Sequence, residues 1–205
     1  MLALFFDVLP KPGHEDAYFQ IAAALKPELE KNPGLLFLDR YKSLGRPGWF
    51  LSHQYWRDEA SLVRWRTEPH HHVAQVAGRR EHFADYRIRV AQVVTEAKPG
   101  KPLRRWSEEN LYADPELTPP RYVIAVESTG AEFRAPGLEP FASVYRPGEF
   151  VAVGALAERR AAEAIAEEAL AAANVGAARV ALVARDYGMV ARSEAPQYFP
   201  AERSA

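Results

Sequence analysis

The pentapeptide Arg46-Pro-Gly-Trp-Phe50 recurs with one substitution as Arg146-Pro-Gly-Glu-Phe150, one hundred residues further along the chain. In each copy, proline and glycine predict a tight turn, because glycine permits positive φ and proline interrupts a strand. The residues on both sides of each turn have strand character, and a helical pattern follows. The same hairpin in the same context therefore predicts a chain of two related halves.

The first half has the predicted element order β-α-β-β-α-β. Strands are predicted at residues 2–9, 35–41, 49–56 and 86–94, a helix at residues 14–31 with a kink at Pro27, and a two-piece helix at residues 58–83 that Asp58 caps and Pro69 interrupts. This order is the ferredoxin-like arrangement, an α+β fold whose helices cover one face of an antiparallel sheet. We therefore expect a ferredoxin-like domain over residues 1–97.

A polar stretch at residues 98–120 separates the halves, with Lys98-Pro-Gly-Lys-Pro102 at its start and Thr118-Pro-Pro120 at its end. Such a composition is typical of a linker. Residues 121–205 then contain predicted strands at 122–126, on both sides of the second turn and at 179–185, with a helix at 158–173. Since the long first helix is missing, we interpret this half as a degenerate ferredoxin-like copy with a tail.

The composition argues against several classes of protein. The 205 residues include 26 basic and 27 acidic side chains, so the formal charge of −1 gives no general attraction to nucleic acid or to an anionic membrane. Cysteine is absent, which excludes disulfides and thiolate chemistry. The first residues lack a basic region, and no apolar run reaches about 18 residues. We therefore expect a cytoplasmic protein that binds neither nucleic acid nor membrane.

Residues 56–93 carry a more specific pattern. It comprises Trp56-x-Asp-Glu-Ala60, Trp65-Arg66, His71-x-x-Ala-Gln-x-x-Gly-Arg79 and Tyr86-x-x-Arg-Val-Ala-x-Val93, together with the upstream turns Lys11-Pro-Gly13 and Asn32-Pro-Gly-Leu35. These motifs resemble the antibiotic biosynthesis monooxygenase (ABM) domain, over about residues 1–95. The segment from Arg185 to Pro196 is similar to the tail that follows the last strand in such proteins, so the second half resembles a divergent second copy.

The resemblance implies a dimeric α+β barrel, in which two ferredoxin-like sheets pack face to face and each keeps a pocket between sheet and helices. A tandem copy would supply both sheets from one chain as an intrachain pseudo-dimer, with or without further association into a homodimer. The implied activity is oxidation of a small aromatic or quinol-like molecule by dioxygen without a cofactor. Two alternatives stay open: a non-catalytic or stress-linked small-molecule binding protein, and haem binding or degradation with His71 as an axial ligand.

Three residues are candidates for catalysis at the centre of a site. His71 aligns with the histidine of the family motif, and the ordinary pKa of histidine, about 6.5, suits a general base. Trp65 offers an indole N–H and a flat ring. Tyr86 offers a phenol on the strand face that also carries Ile88 and Val90. Simple packing or a structural hydrogen bond is the alternative role for each of them.

Three further residues complete the predicted site. Asp7 is the charged residue of an apolar first strand, at a place where haem-degrading relatives often carry asparagine; it is a candidate catalytic base or orienting group, with an arginine pair as the alternative. His53, in phase with Leu51 and Tyr55, is a candidate substrate-binding residue. Arg79 matches the Gly-Arg of the family motif and is the candidate partner of an anionic substrate group, with a solvated helix edge as the alternative.

We expect no metal requirement. The triplet His70-His71-His72 has the wrong spacing, because adjacent residues of a helix point about 100° apart and cannot converge on one ion, and zinc sites use separated ligands. Dialysis against an excess of chelator should therefore leave the melting temperature unchanged. A drop that one equivalent of zinc reverses would contradict this prediction.

Overall fold

The computed structural model describes residues 1–108 and 121–196. The first half contains β1 (Leu2–Pro10), α1 (Glu15–Glu30), β2 (Leu35–Ser43), β3 (Phe50–Trp56), α2 (Glu59–Arg66), α3 (Pro69–Ala77), a π-helical turn (Gly78–His82) and β4 (Phe83–Ala97). It is followed by β5 (Arg104–Arg105), β6 (Tyr122–Thr129), β7 (Glu139–Ser143), β8 (Glu149–Leu156), α4 (Arg159–Ala169) and β9 (Val175–Gly188). The predicted linker end, Thr118-Pro-Pro120, and residues 197–205 of the predicted tail lie outside the described residues.

Eight strands form a closed antiparallel barrel. Neighbours follow the order β1-β3-β2-β7-β8-β6-β9-β4, and β4 pairs back onto β1. The two-residue strand β5 adds a short pairing to the end of β4. Closure gives each of the eight barrel strands two hydrogen-bonded neighbours, which removes the exposed edges that a four-stranded sheet would have.

The two halves contribute the same strand order to the barrel. Strands β4-β1-β3-β2 and β9-β6-β8-β7 each have the order of a ferredoxin-like sheet. At one junction β2 pairs with β7, where Lys42 lies opposite Ala142, and at the other β4 pairs with β9, where Ala91 lies opposite Val183. The ferredoxin-like α+β fold is therefore confirmed, whereas the origin of the second half as a tandem copy stays a prediction.

The helices follow the predicted pattern with one difference. Helix α1 continues without interruption through Pro27, which lies in its last turn, where the sequence predicts a kink. After α3 the backbone widens into the π-helical turn, and a Cβ added at Gly78 would lie 2.5 Å from the Phe83 ring. Glycine is therefore required by the close approach of this turn to β4. None of the helices in the described ranges is long and apolar enough to span a membrane.

Three apolar layers hold these elements together. The barrel interior is filled by side chains from both halves, including Phe5 and Leu51 from the first and Phe141 and Val151 from the second. On the outer face of the second sheet, α4 packs closely through fully buried alanines. On the outer face of the first sheet, α1, α2 and α3 leave a cavity above the strands. The small side chains of α4 explain why the two outer layers differ.

The dependence of each half on the other can be tested with residues 1–97 alone. This fragment would expose the edges of β2 and β4 together with interior side chains such as Phe5 and Leu51, which the second half covers in the whole chain. We expect it to self-associate or precipitate at concentrations at which the full-length chain stays dispersed. Light scattering after gel filtration gives the masses, and a folded monomeric fragment would refute the expectation.

Candidate active site

A cavity of about 200 Å³ lies between the outer face of the first sheet and helices α1, α2 and α3. Side chains alternate along a strand, and on one face of β1 and β4 the alternate residues Leu4, Phe6, Ile88 and Val90 point into it. Apolar side chains of α1 form the opposite wall. The cavity therefore has the mainly apolar lining that is typical of small-molecule sites.

Four of the six predicted site residues line this cavity: Trp65, His71, Arg79 and Tyr86. They approach it from α2, α3, the π-helical turn and β4. Within residues 1–108 and 121–196, no group of three or more histidine or carboxylate side chains is placed to hold a metal ion. The polar chemistry of the cavity rests on aromatic, imidazole and guanidinium groups.

Trp65 and His71 form a stacked pair in the cavity wall. Their ring centroids lie 4.1 Å apart, with an interplanar angle of 15°. The Nδ1 atom of His71 lies 2.8 Å from the Trp65 carbonyl oxygen. Because a carbonyl oxygen can only accept a hydrogen bond, Nδ1 carries the proton of the neutral ring, and Nε2 keeps its lone pair.

The protonation state of His71 follows from its surroundings. Burial lowers its pKa to about 4, and the hydrogen bond to the Trp65 backbone and the charge of Glu68 offset this only in part. The imidazole is therefore neutral near pH 7, and Nε2 can accept a proton. The same low pKa makes it a weak base, so any proton transfer needs an acidic substrate or a stabilised product anion.

Two capped helices position this pair. Asp58 caps α2 by accepting a backbone hydrogen bond at 2.8 Å, and Glu68 caps α3 by accepting one from His71 N at 2.6 Å. Pro69 occupies the first turn of α3, where its missing N–H leaves no hydrogen bond unmade. The break between the helices turns the chain back, so that Trp65 and His71 stack although they are six residues apart.

The phenol of Tyr86 lies between two guanidinium groups. Arg79 Nη1 donates to Tyr86 Oη at 2.7 Å, and Arg192 Nη1 donates to the same oxygen at 2.9 Å. These two donors use both lone pairs of the phenol oxygen, so its own O–H can donate to a ligand. Arg79 also donates to the Met189 carbonyl oxygen at 3.1 Å. Such a cluster of donors stabilises negative charge that develops on a nearby oxygen atom.

The second half supplies part of the cavity. Arg185, Tyr187, Arg192 and Pro196, from β9 and the segment after it, line the cavity beneath the helices of the first half. Arg185 Nη2 donates to Glu59 at 2.7 Å, which ties β9 to the start of α2. Reasoning from the sequence assigns the site to the first half and misses these four residues. The family-like segment that contains them was the signal that could have found them.

Asp7 does not reach the cavity. Its side chain is on the interior face of the barrel, in phase with Phe5, and is 3% exposed. Arg46 Nη2 and Arg89 Nη2 each donate to its carboxylate at 2.9 Å. The predicted alternative, an arginine pair, therefore describes Asp7. The sheet itself separates this carboxylate from the cavity, so Asp7 is not among the residues that the structure brings together there.

His53 also points into the barrel. Its fully buried ring stacks on Phe5 with centroids 4.5 Å apart, and its Nδ1 lies 3.2 Å from the Leu4 carbonyl oxygen. Strand alternation instead brings its neighbours Ser52 and Gln54 to the cavity. The structure therefore does not bring His53 to the cavity. It lies on the face of β3 that fills the barrel core.

Fold and site together define a class, an α+β barrel of ferredoxin-like sheets with a small-molecule cavity beneath its helices. Residues 1–77 match the family model of antibiotic biosynthesis monooxygenases. A jasmonate monooxygenase of Pyricularia oryzae is 49% identical over 98 residues, which cover 48% of this chain and 46% of that protein. The first half of the chain is therefore similar to ABM-family proteins, and the chain spans about half the length of this curated relative.

Comparison with solved structures finds similarity at low identity. An aldoxime dehydratase in complex with butyraldoxime is similar with a TM-score of 0.56 and 11% identity, over 88% of this chain and 79% of that one. A Pseudomonas aeruginosa protein is 20% identical with a TM-score of 0.39, over 52% of this chain and 94% of its own. The first of these shows that the shared fold extends over both halves of the chain.

The free energy of unfolding should depend on pH because the pKa of His71 is lowered in the folded protein. The pKa of histidine is about 6.5 in an unfolded chain, whereas the pKa of His71 is about 4 in the folded protein. Between these values the unfolded state binds more protons, so the stability that is fully present above pH 6.5 is lost as the pH falls toward 4. From this residue we expect a slope of up to about 1.4 kcal/mol per pH unit.

Chemical denaturation between pH 4 and 8 measures this slope for the native protein and for His71→Asn. The variant should show a shallower loss of unfolding free energy than the native protein. The matched control is His70→Asn, since the His70 side chain is 77% exposed and should leave the slope unchanged. Identical slopes for the native protein and His71→Asn would show that His71 titrates normally in the folded state.

Proposed function

We propose that this protein is an ABM-type monooxygenase that oxidises a small molecule with dioxygen and without a cofactor. The observation that carries the proposal is a single grouping at one apolar cavity: the Nε2 of a neutral His71, the indole of Trp65, and a phenol held by two arginines. The family of the first half and the monooxygenase among its relatives support the general class of reaction.

Oxidation without a cofactor constrains the substrate. When a CH₂ group becomes a carbonyl group, one atom of dioxygen enters the product, and the other leaves as water with the two hydrogens. The substrate supplies all the electrons, so no external reductant enters the balance. It must first lose a proton, because its anion is the species that reduces dioxygen. This requirement favours acidic phenols and ring systems with an activated CH₂ group.

Each polar residue of the cavity then has a defined task. The Nε2 of His71 accepts the proton, and the O–H of Tyr86 donates to the oxygen on which the substrate charge resides. Arg79 and Arg192 hold Tyr86 and place positive charge beside it. Trp65 fixes the imidazole by stacking and offers a flat surface to a ring. Anion stabilisation compensates for the weak basicity of the imidazole.

The proposed substrate is a small aromatic or quinol-like molecule. A relative that is 49% identical is named for jasmonate, so a small cyclic keto acid belongs on the same test panel. Dioxygen is the proposed second reactant, with neither nucleic acid nor membrane as a partner, and the cytoplasm is the proposed compartment. The apolar wall and the limited volume of the cavity support a compact substrate.

Binding without catalysis is the second candidate function, and the low pKa of His71 favours it because a weak base transfers protons poorly. Haem fits the cavity less well. A volume of about 200 Å³ is too small for a porphyrin, and we derive no step through iron. Haem absorbs strongly near the blue edge of the spectrum, so the absorbance of the purified protein distinguishes haem binding from the binding of another small molecule.

We also propose that the second half is a divergent copy that pairs with the first as an intrachain pseudo-dimer. Support comes from two ion pairs that exchange partners between the halves. Arg46 donates to Glu139 at 2.7 Å, and Arg146 donates to Asp39 at 2.8 Å. The two arginines are one hundred residues apart, as are the two carboxylates. A local twofold relation between the halves would produce this exchange.

Oxygen uptake tests the proposed activity. The native protein should consume dioxygen with an anthrone-like, hydroquinone-like or cyclic keto-acid substrate. His71→Ala should lower the rate by about a hundredfold or more, the usual cost of losing a general base. Trp65→Phe should keep most of the packing but remove the indole N–H, with a smaller loss of rate.

The matched control is His70→Ala, which removes a histidine from the same triplet outside the cavity lining and should retain native uptake. Thermal melts establish that every variant is folded. Equal uptake by native protein and His71→Ala would remove His71 from the mechanism. No uptake by the native protein across the panel, with ligands still bound, would favour the binding function.

A further inference from the structure

The charge of the cavity is one-sided. Among the residues that the structure describes, no aspartate or glutamate lines it, whereas five arginines do: Arg40, Arg66, Arg79, Arg185 and Arg192. The chain as a whole carries 26 basic and 27 acidic residues, so this excess is a local property of the site. A cavity that combines apolar walls with guanidinium groups suits a ligand that is apolar over most of its surface and anionic at one end.

Arg40 is the most informative of the five. It lies on β2, it is 8% exposed, and within the described ranges its side chain forms no ion pair and its Nε no hydrogen bond. The buried carboxylates Asp7 and Asp39 both have arginine partners. Burying a guanidinium group without an anion is costly. The position of Arg40 therefore suits an ion pair with an anionic group of the ligand.

Tyr18 of α1 supplies a second donor beside Arg40. It is 5% exposed and lines the cavity, and its Oη lies near the Arg40 guanidinium without forming a hydrogen bond of full geometry to any described residue. Burial raises the pKa of Tyr18, and the nearby charge of Arg40 opposes that rise, which shows that the two groups interact. The phenol keeps its proton at neutral pH and can donate it. A guanidinium and a phenol O–H together match the two oxygens of a carboxylate.

Arg40 and Tyr18 lie at one end of the cavity, and the proposed reaction centre at His71 and Tyr86 lies at the other. Arg40 pairs with Ser52, Ser52 with Phe6, and Phe6 with Ile88, in one row across β2, β3, β1 and β4. Three strand spacings of about 4.8 Å separate the ends of this row by about 14 Å. A small apolar molecule anchored at Arg40 can therefore extend toward Tyr86 at the other end of the cavity.

We propose that the ligand of this cavity is a small apolar carboxylic acid, bound as its carboxylate by Arg40 and Tyr18. This rests on the proposed function for the identity of the site but adds the class of substrate and its orientation. The carboxylate lies beneath α1 on β2. The carbon that reacts lies beneath α3, beside His71 and Tyr86.

Calorimetry under anaerobic conditions tests binding apart from turnover. The probes are two matched pairs: 1-naphthaleneacetic acid with 1-naphthaleneacetamide, and jasmonic acid with its methyl ester. Each acid should bind the native protein at least about tenfold more tightly than its neutral partner. Arg40→Gln should weaken the acids by about 10- to 100-fold, as expected for a charge-assisted hydrogen bond, and leave the neutral probes nearly unchanged. Tyr18→Phe should weaken the acids by a smaller factor.

The control is Lys42→Gln, which removes an exposed positive charge from the same face of β2 outside the cavity and should bind both acids normally. Melting temperatures establish folding, and Arg40→Lys replaces Arg40→Gln if the latter is unstable. Equal binding of acids and neutral probes, equal loss of both in Arg40→Gln, or binding of neither acid would overturn the proposal. Selective acid binding without oxygen uptake would instead refute the proposed monooxygenase and leave the carboxylate site standing.

Discussion

Closure of the barrel depends on ion pairs between the two halves, in which a carboxylate of each half is neutralised by an arginine of the other. Asp39 of the first half is 3% exposed and receives Arg146 of the second half, while Glu139 of the second half receives Arg46 of the first. A buried carboxylate without its partner destabilises a protein by several kcal/mol. The interior residues therefore specify closure as well as fill space. An isolated sheet would expose its apolar inner face to water and leave these carboxylates without their arginine partners.

The junction that closes the barrel also completes the site. Because β9 pairs with β4, Tyr187 lies beside Ile88, and the segment after β9 brings Arg192 onto Tyr86. In the outer layer of the second half, the buried alanines of α4 allow that helix to pack directly against its sheet. The first half thus forms most of the cavity, and the second half contributes side chains to one end of it.

Local patterns predicted what depends on nearby residues. The strands, the hairpin and the break between α2 and α3 follow from turn residues, caps and the interruption at Pro69, all within short segments. Strand alternation could group residues by face, but it could not say which face lines the cavity, because closure buries both faces of the sheet. For the same reason, the sequence alone could not place Asp7 and His53 on the barrel side of the sheet. Arg192 depends on a contact 106 residues away in sequence, which no periodicity reveals.

The electrostatics of the cavity also bear on how a weak base could act. Burial that holds the pKa of His71 near 4 removes its driving force for proton transfer, so the reaction must gain its driving force where the negative charge appears. Arg79 and Arg192 supply this stabilisation of negative charge at Tyr86. A carboxylate bound at Arg40 would neutralise the far end of the cavity and leave these two arginines to the reacting oxygen. Under this arrangement binding and chemistry use different positive charges, so tight binding of the acid does not quench the groups that stabilise the anion formed from it.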